Sequence, residues 1–190
     1  MNRAKMIGNK VYLRPIELSD VDNGWHEWIN DELATGGLVG NYPVTKGELI
    51  QYYEKNALPP NSVMFAICDV QSDEYVGNCR LGNINWIDRN CTYGRLIGNP
   101  NYRNKGVGTE VLELMFRYGF HSLGLERIYS GAVSCNIASI KNNEKFGMKV
   151  EGTQKKTTFR NGTYYDTVML AMLREEFDAL YGPSKNVFEK

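Results

Sequence analysis

The stretch Arg103-Asn104-Lys105-Gly106-Val107-Gly108-Thr109 holds the residue types best suited to gripping an anion. Two glycines two apart let the backbone turn tightly and leave no Cβ in the way of a ligand. A helix that starts there presents unpaired N–H groups and the positive end of its dipole. Together these make a cradle for a pyrophosphate, with Arg103 and Lys105 adding positive charge at its rim. The loop is not a Walker loop, because no Lys-Ser or Lys-Thr follows the glycines. Nor is it the dinucleotide fingerprint GxGxxG, since Val111 stands where the third glycine belongs. Taken alone, the segment reads equally well as a plain glycine-rich turn before an amphipathic helix.

Those residues can act only if the flanking elements hold them. The run CTYGRLIG (91–98) predicts a strand before the loop, and Thr109 to Leu123 predicts a helix after it. That helix carries apolar residues at 111, 112, 115, 116, 119, 120 and 123, a broad buried face. Further strands are expected at 11–15, 62–70, 74–81 and 126–133, with a hairpin at the Gln71-Ser72-Asp73 turn. Ser19 or Asp20 is expected to cap a first helix bearing Val21, Trp25, Trp28 and Ile29 on one face. Thr45 and Glu48 have capping-box spacing and open a second helix through Ile50 and Tyr53. Asn136 to Phe146 predicts a short helix closed by Gly147. Asn161-Gly162 predicts the turn of a closing hairpin. The order β-α-α-β-β-β-α-β-α-β-β describes an α/β (α+β) chain, one mixed sheet flanked by helices, forming a single domain over 1–190.

Composition narrows the partners. Lys plus Arg and Asp plus Glu each total 22, so the net charge is zero. That argues against a nucleic-acid binder, which draws most of its affinity from a basic excess. Four cysteines without a CxxC pair and only two histidines, His26 and His121, are a poor metal inventory, so no metal is expected. Cys68, Cys79 and Cys91 fall in strand-like runs and read as reduced, packed thiols. The N-terminal sequence lacks the apolar core of a signal peptide, and no apolar run approaches the roughly 20 residues that cross a bilayer. A cytoplasmic protein without membrane contact is the expectation.

The full segment NPNYRNKGVGTEVLELMFRYGF resembles the coenzyme A-binding motif of the GNAT acetyltransferase superfamily, with Arg103, Gly106 and Gly108 filling R/Q-x-x-G-x-G/A. NIASIKNNEKFGM is similar to the second motif of that family through Asn136, Ser139, Lys145 and Gly147-Met148. The opening NKVYLRPIELSDVDNGWHEWIND and the closing VEGTQKKTTFRNGTYYDTVMLAML look like the branch containing ribosomal-protein N-terminal, spermidine and nucleotide-amino-sugar acetyltransferases. The resemblance spans nearly the whole chain. It implies a V-shaped, mostly antiparallel sheet of about seven strands, in which strands 91–98 and 126–133 splay around the pantetheine arm of acetyl-CoA. It further implies that the backbone of Leu96, Ile97 and Gly98 bonds that arm. The amides of Asn104, Lys105, Gly106, Val107, Gly108 and Thr109 would hold the pyrophosphate, with Asn136 and Lys145 contributing from the second motif.

Acetyl transfer to an amine needs a neutral nucleophile, a donor for the oxyanion and a route for the departing thiolate. Alkyl amines titrate near ~10, so a proton must leave first. Two positions depart from the family pattern: Asn143 stands where many relatives place a tyrosine acid, and Tyr93 replaces a common acidic residue. Ser139 is then the nearest acid candidate, and Asp166 the first base candidate, ahead of Asp88 and Glu32. A catalytically idle coenzyme A sensor is the reading from another class.

Trp25, Trp28, Trp86, Tyr164 and Tyr165 are candidates to line an acceptor pocket. The glycine-rich 35–43 segment contains no acid, which disfavours a polyamine. Asn41, Tyr42, Asn83, Asn85 and Trp86 favour a nucleotide-linked amino sugar ahead of a protein N-terminus. The expected partner is thus a small-molecule amine, and a homodimer is left open.

Overall fold

A computed structural model describes residues 4–35, 42–57 and 60–183. The strands are β1 (Met6–Ile7), β2 (Val11–Pro15), β3 (Val63–Asp69), β4 (Tyr75–Asn85), β5 (Asn90–Ile97), β6 (Arg127–Val133), β7 (Lys149–Arg160) and β8 (Thr163–Leu173). They form one eight-stranded sheet in the order β1-β2-β3-β4-β5-β6-β8-β7. Every neighbouring pair is antiparallel except β5 and β6. The helices are α1 (Trp25–Asn30), α2 (Glu32–Thr35), α3 (Lys46–Asn56), α4 (Val107–Arg117), α5 (Ile137–Phe146) and α6 (Arg174–Tyr181).

Alternation along the inner strands feeds two cores, one on each face of the sheet. Val11, Leu13, Phe65 and Ile67 point to the face covered by α4, α5 and α6, where Phe116, Phe120, Phe146 and Phe177 are fully buried. Tyr12, Met64, Ala66, Cys68 and Leu96 point to the other face and pack with Trp25 and Leu49 from α1 and α3. A continuous apolar run such as 63–68 is therefore a strand buried on both sides. The free thiols of Cys68, Cys79 and Cys91 are buried, and burial pushes the Cys91 thiol up to about 12. Cys135 is exposed.

Four expectations about elements change. The two-residue strand β1 adds an eighth strand, too short to leave a periodic signal. The first helix does not start at Ser19 or Asp20. Residues 18–21 form a 3-10 turn capped by Glu17, and Gly24 at φ 107° separates it from α1. The expected helix 109–123 starts earlier, at Val107, and turns into a π-helix at Tyr118–Ser122. Finally α6 follows the closing hairpin and packs its own Phe177 and Tyr181 against Phe146 of α5. The capping box of Thr45 and Glu48, the αL cap at Gly147 and the left-handed Asn161-Gly162 turn form where expected.

Candidate functional site

Strands β5 and β6 pair only at Asn90↔Arg127, Cys91↔Ile128 and Thr92↔Tyr129, while β5 continues to Ile97 and β6 to Val133. Past Thr92 the two strands part. The wedge is a cavity of about 600 Å³, walled by Tyr93 to Ile97 on one limb and Ser130 to Ala132 on the other. The loop and the start of α4 close one side through Arg103, Asn104, Gly106, Gly108 and Thr109, and α5 closes another through Asn136, Ser139, Asn142 and Asn143.

The loop has an anion-cradling shape. Asn104 at φ 59° and Gly106 at φ 82° flank Lys105, and Gly106 is the N-cap of α4. Left-handed residues alternating with right-handed ones turn successive N–H groups into one concavity. The Thr109 N–H is already engaged by the Gly106 carbonyl at 3.2 Å, so the amides N-terminal to it carry the cradle. Lys10 Nζ donates to the Lys105 carbonyl at 2.5 Å and places an ammonium beside the loop. The first-turn acid Glu110 is turned away, accepting from the backbone N–H groups of Asn9 and Lys10.

Arg103 lines the wedge and also braces the loop. Its Nε donates to the Ile97 carbonyl at 3.1 Å and its Nη2 to the Gly98 carbonyl at 2.7 Å, tying the loop to the end of β5. The Gly98 N–H donates to the Val76 carbonyl at 3.0 Å. Leu96, Ile97, Arg103, Asn104, Gly106, Gly108, Thr109, Asn136 and Ser139 are thus brought together around the wedge. Gly98, Lys105, Val107 and Lys145 are not on its wall: Val107 is core, and Lys145 is an exposed last-turn cation of α5.

The polar face of α5 follows from helical spacing. Asn136 caps the helix by accepting from the Ser139 N–H at 3.1 Å, and Ser139, Asn142 and Asn143 follow on the same side. Asn142 accepts from Arg95 Nη2 at 2.5 Å and donates to Thr109 Oγ1 at 2.6 Å, bridging β5 to α4. The Arg95 guanidinium lies over the Tyr93 ring, 5.9 Å from its centroid. Burial pushes the Tyr93 phenol up to about 12, and its hydroxyl accepts from Arg95 Nη1 at 3.5 Å. Asn143 is only 2% exposed, and its Oδ1 is buried without a hydrogen-bond partner.

A second cavity of about 550 Å³ opens on the opposite face. Its walls are Trp25 and Ile29 of α1, Tyr42 to Val44, Leu49 and Tyr52 of α3, and Met64 of β3. Glu48 and Arg80 also line it. The two cavities share Tyr93, Gly94, Arg95 and Leu96, so they meet across one short piece of β5. Gly94 is exposed at that seam, and a Cβ there would meet open space.

The base candidates lie elsewhere. Asp166 bonds Lys155 Nζ at 3.0 Å and the Lys156 N–H at 2.9 Å, and these bonds, the backbone one foremost, hold its carboxyl below the usual range. Asp88 is bonded by Asn85 in the β4–β5 turn, and Glu32 opens α2. None of the three lines either cavity. Trp28 packs on Tyr75, Trp86 donates to the Pro60 carbonyl, and Asn83, Asn85, Tyr164 and Tyr165 also lie outside both cavities. Asn41, with 36–40, lies outside the described residues. Sequence reasoning missed Lys10, Arg80, Arg95, Asn142 and Glu48. Arg80 and Arg95 carried a signal, as charges inside otherwise apolar strands.

A family model for the acetyltransferase (GNAT) domain matches residues 10–149. YoaA, an uncharacterized N-acetyltransferase of Bacillus subtilis (strain 168), is 33% identical over 168 residues, covering 87% of this chain and 94% of that protein. The spermidine N(1)-acetyltransferase of Escherichia coli (strain K12) is 28% identical over 131 residues, 68% of each chain. Among solved structures, spermidine N-acetyltransferase from Vibrio cholerae in complex with CoA and spermine is similar with a TM-score of 0.81. That match covers 90% of this chain and 99% of that one at 24% identity, a likeness of fold.

Proposed function

Because the chain belongs to the GNAT acetyltransferase family, we propose that it passes the acetyl group of acetyl-CoA across the Tyr93–Leu96 seam to a small primary amine. The observation that carries this reading is the seam itself: a phosphate-cradling wedge and an aromatic cavity open onto the same four residues of one strand. An acyl donor in the first and an amine in the second would meet at Gly94, where no side chain intervenes. Holding two reactants in line supplies much of the acceleration in such a transfer.

The wedge suits coenzyme A chemically. Pyrophosphate would sit on the amides of Asn104 to Gly108, between Lys10 and the positive end of α4. Beyond Thr92, the β5 backbone is free of β6 and supplies strand-like partners for the pantetheine amides. A β5 N–H would bind the oxyanion that develops when the amine attacks the thioester carbonyl. Ser139 faces the wedge and is proposed to pass a proton to the departing sulfur, regaining it from the attacking nitrogen, which sheds one as the amide forms. Asn143, a buried amide in place of a phenol, offers the orphan Oδ1 as an acceptor for an N–H of the arm.

Asp166 is not kept as the base in this reading, because it lines neither cavity and is bonded to Lys155 and Lys156. Glu48 is the carboxylate on the acceptor wall among the described residues. Bonds from Thr45, side chain first, hold its pKa below the usual range, which makes it a poor proton store at neutral pH. The amine is therefore proposed to enter after losing its proton to solvent. An amino sugar carried on a nucleotide retains support from the aromatic walls Trp25, Tyr42 and Tyr52, but not from Asn83, Asn85 or Trp86. A thiol-release assay over amino sugars, polyamines and peptide N-termini tests the reading. Acetyl-CoA binding without consumption by any amine would leave the sensor alternative standing.

A further inference from the structure

The acceptor cavity carries more positive than negative charge on its walls. Its charged lining residues among those described are Glu48, Arg80 and Arg95. Arg95 leans toward the wedge, where it bonds Asn142. Arg80 does not. It lies on β4 directly opposite Gly94 in the antiparallel register, beside the seam where the cavities meet.

The Arg80 guanidinium is fixed in place. It lies over Gly82, where a Cβ would overlap Nε and Nη2. Its Nη1 donates to Tyr52 Oη at 2.5 Å, and its Cζ stands 5.7 Å from the centre of the Tyr52 ring. An arginine offers five N–H donors in a planar fork, and this contact uses one of them. Among the described residues no carboxylate pairs with Arg80. Glu48 turns its Oε2 to the Thr45 N–H and hydroxyl at 2.8 and 2.7 Å. A half-buried cation stacked on a phenol and left without an anion is a site pre-organised for one.

Resting on the acetyltransferase reading above, we infer that the acceptor carries an anionic group as well as its amine, and that Arg80 seats that group as the amine reaches Gly94. A carboxylate and a phosphate share the planar or trigonal oxygen pair that the fork binds in two-point fashion. A polyamine is the opposite case: each of its ammonium groups would meet a wall with two guanidinium groups and one engaged carboxylate.

The test uses the full chain, saturating acetyl-CoA and matched amine pairs that differ only in the anion. Amino acids are set against their amides, glucosamine 6-phosphate against glucosamine, and spermidine stands as the cationic extreme. The anionic member of at least one pair should show kcat/KM about tenfold or more above its partner, since a charge-assisted pair contributes on that order. The carboxylate and phosphate arms identify which anion is read. In Arg80→Gln that ratio should collapse to about one, and Gly82→Ala, which displaces the guanidinium from the other side, should lower it too. Matched melting curves confirm that both variants fold; if one does not, the other carries the test. Preference for uncharged amines or polyamines, a ratio that survives in Arg80→Gln, or acetyl-CoA binding without turnover of any pair overturns the inference. Failure to bind acetyl-CoA by calorimetry overturns the acetyltransferase reading instead.

Discussion

Apart from Ala34, the wedge between β5 and β6 is walled by residues 93 to 143, and the bonds of Arg103 and Asn142 that shape it stay within that span. The cavity on the opposite face is walled by large side chains drawn from α1, α3, β3, β4 and β5, which are far apart in sequence. On the proposed reading the first would hold coenzyme A largely through N–H groups whose direction is set by φ and ψ. The second would select its amine through side-chain shape and charge, and so could change its ligand one side chain at a time.

The largest expected effect falls on the backbone-built side. Gly106→Val should lower coenzyme A affinity by about 100-fold or more by calorimetry, because a β-branched residue resists φ 82° and its side chain enters the cradle. The strain alone costs roughly 1–2 kcal/mol of stability. An unchanged affinity would place the pyrophosphate elsewhere. Next, Gly94→Phe should leave coenzyme A affinity within about threefold while kcat/KM for the amine falls by about tenfold or more, as the ring fills the seam from the acceptor side. Wild-type turnover in that variant would break the proposed division between the two cavities.

Smaller effects sharpen it. Ser139→Ala should cost more turnover than Asn143→Ala, on the order of tenfold against a few-fold, because the hydroxyl is the proposed donor to sulfur. The reverse ranking would move that role to the amide. The pH profile should rise between about pH 6 and 9 as the amine loses its proton. Glu48 adds no acidic limb in that range: its pKa is lowered, so it is ionised throughout and protonates only as the pH falls below about 4.5. A rise that levels off near neutrality, well below the pKa of the amine used, would demand a protein base. Least of all, Asp166→Asn should leave turnover within about twofold, since its partners are Lys155 and Lys156 on the outer hairpin.

The donor side was legible because its determinants are local. The glycines 106 and 108, the cap at Asn136 and the αL residue at Gly147 announce themselves within a few positions. Arg103 was legible as a residue but not in its action, since the carbonyls of Ile97 and Gly98 that it binds become neighbours only when β5 meets the loop. Lys10 joins the cradle from 95 residues away, a contact that no spacing rule foretells. On the acceptor side, Trp25 was readable as an apolar helix residue, but Arg80 and Glu48 enter the cavity through strand register and helix docking. Asp166 was readable as a residue of the closing hairpin, but its bonds to Lys155 and Lys156 depend on how β7 and β8 pair.

A crystal structure of the chain with coenzyme A tests most directly where the donor lies. Pyrophosphate is expected on the amides of Asn104 to Gly108, the pantetheine between β5 and β6, and the sulfur within about 4 Å of the Tyr93–Leu96 seam. Coenzyme A in the cavity lined by Trp25, Tyr52 and Arg80, or with its sulfur pointing away from Gly94, would contradict that placement.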